Sequence, residues 1–222
     1  MHKNPRKKVY VIGTYYSYAS SIYNRDMVDK IEDADVIVLT GGADVDPSTY
    51  GKPAEPESYG YKARDIFEIS EYKKIRDDQV VVGICRGAQL LTVLNGGILV
   101  QHVTGHCNGG HKMIDTQGKI YPISSLHHQM CYPFDIPKSD YEVLFTSYPA
   151  RSTVYKGDGV DREIIEANGE PEIIIYHKEG EPIALAVQGH PEMMDEESRT
   201  VAMFNDLIDE CIEMARKRKE DV

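Results

Sequence analysis

The chain of 222 residues lacks any apolar run near the roughly 20 residues that a membrane-spanning helix requires. A soluble protein is expected, with no membrane partner. Residues 1–13 also lack a secretory signal: basic residues run directly into a short strand-like segment, without a longer apolar stretch or a small-residue cleavage site. Cysteine is scarce. Cys85, Cys107, Cys131 and Cys211 have neither CxxC spacing nor the density of a disulfide scaffold, so a reducing, cytoplasmic setting is expected. Positive charge is outnumbered, 25 Lys and Arg against 36 Asp and Glu, for a net charge of −11. The basic stretches 3–8 and 216–219 are short, and the surface as a whole repels phosphate, which argues against nucleic acid as a partner. No repeat, low-complexity tract or linker divides the sequence, and its length suits one domain spanning 1–222.

What is present is an alternation of apolar runs and helical patterns. Residues 9–13, 35–40 and 79–84 are short, β-branched and nearly continuous in apolar character, as parallel strands covered on both faces are. Residues 26–32 read as a surface helix, and 63–76 as a second helix. The expected class is therefore α/β, with a mostly parallel central sheet flanked by helices. Further on, residues 143–146, 153–155, 163–167, 173–177 and 183–188 read as short strands joined by Asn-Gly and Glu-Gly turns, which predicts a smaller antiparallel extension. The end, 196–219, carries Val201, Phe204, Leu207, Ile208, Cys211 and Ala215 at helical spacing, with Asp195 available as a cap.

The sharpest chemical signal is Gly83-Ile84-Cys85-Arg86-Gly87-Ala88-Gln89, where strand gives way to helix. A nucleophile on such a turn is lifted above the sheet's carboxyl edge, and glycines two before and two after it let strand and helix backbones pass closely. The thiol then sits at a helix N-terminus, where the dipole and free amides favour thiolate. The backbone N–H of Arg86 can serve as an oxyanion donor there. A cysteine nucleophile also needs an oriented base. Gln188-Gly189-His190-Pro191-Glu192 supplies one: Pro191 biases His190 to extended backbone, and residues two apart in extended chain project to one side, so Glu192 can reach the His190 ring.

The pairing of G-x-C-x-G-x-Q with a later G-H-P-E resembles the class I glutamine amidotransferase domain, whose members carry a Cys-His-Glu triad in this order. Residues 39–51, Arg64–Glu68, 96–101 and Ser125-Leu126-His127-His128-Gln129 are similar to the γ-glutamyl hydrolase branch, which includes γ-glutamyl-γ-aminobutyrate hydrolases. The resemblance covers 36–193 and implies a flavodoxin-like fold and hydrolysis of γ-glutamyl amides through a thioester. It implies a triad of Cys85, His190 and Glu192, oxyanion amides at Gly42 and Arg86, and a small-molecule γ-glutamyl substrate held by Gln89, Ser125, His127, His128 and Gln129. It implies no metal and no organic cofactor. Too few residues separate the first strand from the second for the family's usual extra strand and helix, so a missing or shortened βα unit is expected.

Two other readings stay open. The chain could be a separate glutaminase subunit passing ammonia to a synthase partner, or a binding module that keeps the fold without the activity. His102, His106, Cys107 and His111 offer metal-ligand types, yet their spacing fits no standard zinc pattern and nearby glycines point to a hydrogen-bonded loop. Arg64 and Glu68 read as an i,i+4 pair, with the further option that Arg64 or Asp65 pins the glycine loop.

Overall fold

The computed structural model describes residues 6–13 and 15–220; residues 3–5 of the basic stretch lie outside the described residues. The chain opens with β1 (Lys7–Ile12) and passes through a single 3-10 turn to β2 (Arg25–Met27). A second 3-10 turn, Ile31–Asp33, leads to β3 (Val36–Leu39), and α1 (Lys62–Tyr72) follows a long loop. Next come β4 (Val80–Ile84), α2 (Arg86–Leu94) and the short strands β5 (Ile98–Val100) and β6 (His102–Val103). The second half holds β7 (His111–Asp115), β8 (Ile120–Ile123), β9 (Met130–Tyr132), β10 (Tyr141–Ser147) and β11 (Tyr155–Lys156). It closes with α3 (Arg162–Asn168), β12 (Pro171–Tyr176), β13 (Ile183–Val187) and α4 (Arg199–Glu220).

Nine strands form one sheet in the order β2-β1-β3-β4-β13-β12-β10-β7-β8. The first five are mutually parallel, and the remaining four continue the sheet antiparallel. The α/β class is as expected, and an antiparallel extension is present with a different make-up: 143–146 and 173–177 join it in β10 and β12, whereas 183–187 is β13 of the parallel half, its apolar run buried beside β4, and Tyr155 belongs to a separate two-stranded pair of β11 with β6. Every residue of β3, β4 and β13 is buried. Alternation of side chains sorts them onto two faces. Val36, Val38, Val80, Val82, Leu185 and Val187 pack with Phe204, Ile208, Cys211 and Ala215 of α4. Ile37, Leu39, Val81, Ala184 and Ala186 pack with Ala88 and Leu91 of α2 and Tyr72 of α1. The helical stripe anticipated for α4 is therefore its buried face, with Cys211 in the core.

Three further local expectations are corrected. Residues 26–32 are not a helix: they begin within the edge strand β2, paired to β1 through Lys7↔Arg25 and Val9↔Met27, and run into a 3-10 turn. The βα unit at this edge is thus shortened to one turn of helix and three residues of strand, not lost. Residues 163–167 are helical, within α3. Asp161 caps it by accepting from Glu163 N at 2.8 Å, and Gly169 follows its end at φ +83, so start and stop signals outweigh the apolar pair Ile164-Ile165. Asn168-Gly169 is accordingly a helix terminus, whereas Glu179-Gly180 does join two antiparallel strands, β12 and β13. The segment 102–111, read as a hydrogen-bonded loop, holds β6 at its start and the first residue of β7 at its end, β7 being hydrogen-bonded between β10 and β8.

Candidate active site

The carboxyl ends of three adjacent parallel strands build the site. In register, Leu39 of β3 lies beside Gly83 of β4, and Ile84 of β4 beside Val187 of β13. The residues just past each strand therefore converge at one edge of the sheet: Thr40-Gly41-Gly42, Cys85, and Gln188-Gly189-His190. Cys85 N donates to Val187 O at 2.8 Å, tying the turn to the neighbouring strand.

Cys85 has φ +54 and ψ −109, one of two non-glycine residues with positive φ among the described residues. Such a conformation costs an L-residue on the order of 1–3 kcal/mol and persists only where surroundings impose it. They do so here. A Cβ on Gly83 would run into the backbone of Gly87, and a Cβ on Gly87 would overlap the carbonyl of Leu39. Helix α2 thus packs directly on strand backbone, forcing the turn at Cys85. As first-turn residues of α2, Arg86 and Gly87 have amides without intrahelical acceptors.

His190 is buried, and its Nδ1 lies 2.7 Å from Glu192 Oε1, which puts the proton on Nδ1 and leaves Nε2 for Cys85. Burial works against the charged ring, but hydrogen bonding to Cys85 and then to Glu192 outweighs it, and the His190 pKa is raised to about 10. The pair can therefore exist as imidazolium beside sulfur. Tyr18, which its sequence context does not single out, closes the other side: its ring centroid is 6.3 Å from that of His190, and a Cβ on Gly41 would meet its hydroxyl at 2.6 Å. Nothing in the tyrosine-rich run 15–18 distinguishes this one by spacing.

The glycine loop is pinned from α1. Arg64 Nη2 donates to Thr40 O at 3.1 Å and to Gly41 O at 3.0 Å, while its Nε donates to Glu68 at 2.8 Å. Arg64 thus both makes the i,i+4 pair and holds the loop. The side chain of Arg86 was not anticipated. It is fully buried and paired with both Asp65 and Glu68. Asp65 in turn accepts from Asp46 N at 2.8 Å and Thr49 Oγ1 at 2.9 Å. One charged network therefore joins the residue after Cys85 to the loop after β3.

The residues expected to hold substrate fall into two groups. Gln89 Nε2 donates to Gln129 O at 3.1 Å, Gln129 Nε2 to Ser58 Oγ at 2.9 Å, and His128 Nε2 lies 3.1 Å from Asp44 Oδ1. His128 is about one third exposed, and its pKa is raised by the hydrogen bond to Asp44. Gln89, Gln129, Ser125 and His127 are all buried, and the last two bond to the segment's own surroundings: Ser125 Oγ donates to His106 O at 2.7 Å, and His127 Nδ1 to Gln129 O at 2.8 Å. Burial pushes the His127 pKa down to about 3. These two support the segment from behind. Of the four metal-ligand types around 102–111, only His106 and His111 come together, joined by Glu170 and Glu172 from the region of β12; Cys107 is exposed and His102 faces His128.

Residues 19–192 match the peptidase C26 family. No curated protein matches the chain. Among solved structures, a Thermoplasma acidophilum protein provisionally described as a GMP synthase component is similar at a TM-score of 0.54 and 17% identity, covering 98% of each chain. A glutamine amidotransferase from Thermotoga maritima is similar at a TM-score of 0.50 and 14% identity, over 97% of this chain and 98% of that one. At these identities the likeness is one of fold. Among the described residues no helix is long and apolar enough to cross a membrane.

Proposed function

The chain belongs to the peptidase C26 family, and from that premise we propose that it hydrolyses γ-glutamyl amide bonds, of glutamine or of γ-glutamyl amines, through a thioester on Cys85. The observation that carries this is the conformation of Cys85, held at φ +54 at the head of α2 within hydrogen-bonding range of His190, whose other nitrogen is fixed by Glu192.

Sγ of Cys85 attacks the γ-carbonyl, and the amides of Gly42 and Arg86 stabilise the oxygen as charge develops. His190 gives its proton to the departing amine as the C–N bond breaks. Water, deprotonated by the now neutral His190, adds to the thioester, the C–S bond breaks, and glutamate leaves. Glu192 keeps the ring oriented and stabilises its charged form. Arg64 and Arg86 act through position, one on the glycine loop and the other between α1 and α2. The glutamyl end is assigned to Gln89, His128, Gln129 and the backbone of 125–129.

The test is glutamate release from a panel of glutamine and γ-glutamyl amines by the wild-type chain and Cys85→Ala. Turnover by the isolated wild type and none by the variant is expected. Full activity in Cys85→Ala, or no turnover across the panel by folded wild type, would overturn the reading. Glutamine turnover that appears only when a synthase is added would instead favour an ammonia-supplying role.

A further inference from the structure

Beneath the 125–129 segment lies a cluster of titratable side chains that the proposed chemistry does not use. His106 follows β6, His111 begins β7, His127 belongs to the segment itself, and Glu170 and Glu172 lie just before and within β12. His106 is 1% exposed, His127 3%, Glu170 0% and Glu172 1%, and the His111 side chain is 1% exposed. Buried groups of this kind are ordinarily paired throughout. Here four polar atoms have no hydrogen-bond partner: His106 Nδ1, His111 Nδ1, His127 Nε2 and Glu172 Oε2.

The bonds that do form decide where protons sit. Glu170 accepts from Arg151 N and Ser152 N, both at 2.7 Å, and from the Tyr155 hydroxyl at 2.7 Å, and also faces His106 Nε2 at 3.2 Å. The Glu170 carboxylate only accepts, so His106 Nε2 carries a proton toward it, and the state of Nδ1 is set by Glu172 on the other side of the ring. That nitrogen points at Glu172 Oε1, 3.4 Å away, and the same oxygen is 2.6 Å from His111 Nε2. Burial works against a charged His106, but hydrogen bonds to Glu170 and Glu172 raise its pKa to about 9, so a proton occupies the place between Nδ1 and Glu172 that a metal ion can take instead.

We propose that His106 Nδ1, His111 Nε2 and Glu172 form a binding site for a divalent transition-metal ion of the zinc class. One ligand atom from each lies within 4.8 Å of the others. Two imidazoles and a carboxylate are a zinc-type donor set. With metal–nitrogen bonds of about 2.0–2.1 Å, tetrahedral ligand atoms stand about 3.3 Å apart, which the His106–Glu172 separation already provides. The His111–Glu172 contact widens as the ion replaces the proton they share. Glu170 behind His106 is the outer carboxylate that orients a ligating imidazole. His127, whose ring centroid is 4.6 Å from that of His106, adds a bare nitrogen in the wall of the site. The ion would fasten the loop after β6, β7 and β12 behind Ser125, whose hydroxyl already bonds to His106 O. This inference is independent of the hydrolase reading.

The experiment uses the full chain, stripped with a chelator and reloaded with zinc ion alone. One zinc per chain retained through gel filtration, and an unfolding temperature that rises with zinc concentration, are expected. Glu172→Gln and His111→Gln should each bind at least tenfold more weakly. Cys107→Ala, which removes the exposed thiol, should bind as wild type. Folded wild type that retains no stoichiometric zinc overturns the site, as does undiminished binding by both cluster variants. Loss of the ion in Cys107→Ala would mark it as an adventitious ion only, and would equally overturn the proposal.

Discussion

At the scale of the residue, His190 is the group whose state decides what the site can do. Its pKa is raised to about 10 because hydrogen bonds to Cys85 and Glu192 outweigh the cost of burial. A raised pKa means that the ion pair's contribution is complete below the ordinary value of 6.5 and disappears as pH rises through about 10. The kcat/KM of the proposed hydrolysis should therefore fall on the alkaline side near pH 10. Glu192→Gln should move that limb to lower pH and reduce kcat on the order of 10²- to 10⁴-fold; a pH–rate profile unchanged in position would contradict this role. Strain at Cys85 makes a separate prediction. Glycine tolerates φ +54 and alanine does not. Although both are expected to be inactive, Cys85→Gly should be more stable than Cys85→Ala by about 1 kcal/mol, measured by urea unfolding; equal stabilities would show that the turn is unstrained.

Between elements, what holds the elbow is close packing on one side and buried charge on the other. Gly87 lies against the Leu39 carbonyl, a backbone atom that cannot swing away. Gly87→Ala should push α2 off β3 and lower stability by about 1–3 kcal/mol, with a matching drop in unfolding midpoint. Arg86 pairs with Asp65 and Glu68, all three shielded from water, and Glu68 is shared with Arg64. Arg86→Met would leave Asp65 buried without its cation and Glu68 with Arg64 alone, and a loss of about 3–5 kcal/mol is expected. Denaturant unfolding at neutral pH tests this. A smaller loss would mean that water reaches the pair once the guanidinium is gone.

Across the whole molecule, the site lies at the centre of a sheet whose two halves differ. Strands β3, β4 and β13 are buried on both faces and flanked by strands on both sides, whereas β2 is a three-residue edge strand with no buried residue. Amide exchange should therefore be slowest in those three strands, at the rate of global unfolding, and fast in β2 by local opening. Comparable protection of β2 would imply that this edge is covered. The placement follows from topology: loops leaving the carboxyl ends of parallel strands share one edge, and the central strands are the most rigid support for them.

Sequence alone determined the features that depend on neighbours in the chain. The apolar runs of β3, β4 and β13, the stripe of α4, and the Gly83, Cys85 and Gly87 spacing were legible because strand burial, helical period and backbone clearance act over a few residues. The same local reading failed at 26–32, where pairing with β1 overrode a helical pattern, and at 163–167, where Asp161 and Gly169 marked a helix that two isoleucines disguised. Tertiary structure alone decided what depends on distant partners. It placed Tyr18 beside His190, set Arg86 between two acids from α1, and turned Ser125 and His127 inward. It also completed the pair His106 and His111 with Glu172, a residue some sixty positions away that no ligand spacing could have included. The physical reason is common to all of these: side-chain partners in a sheet are set by strand order and register, and neither is written in the local pattern.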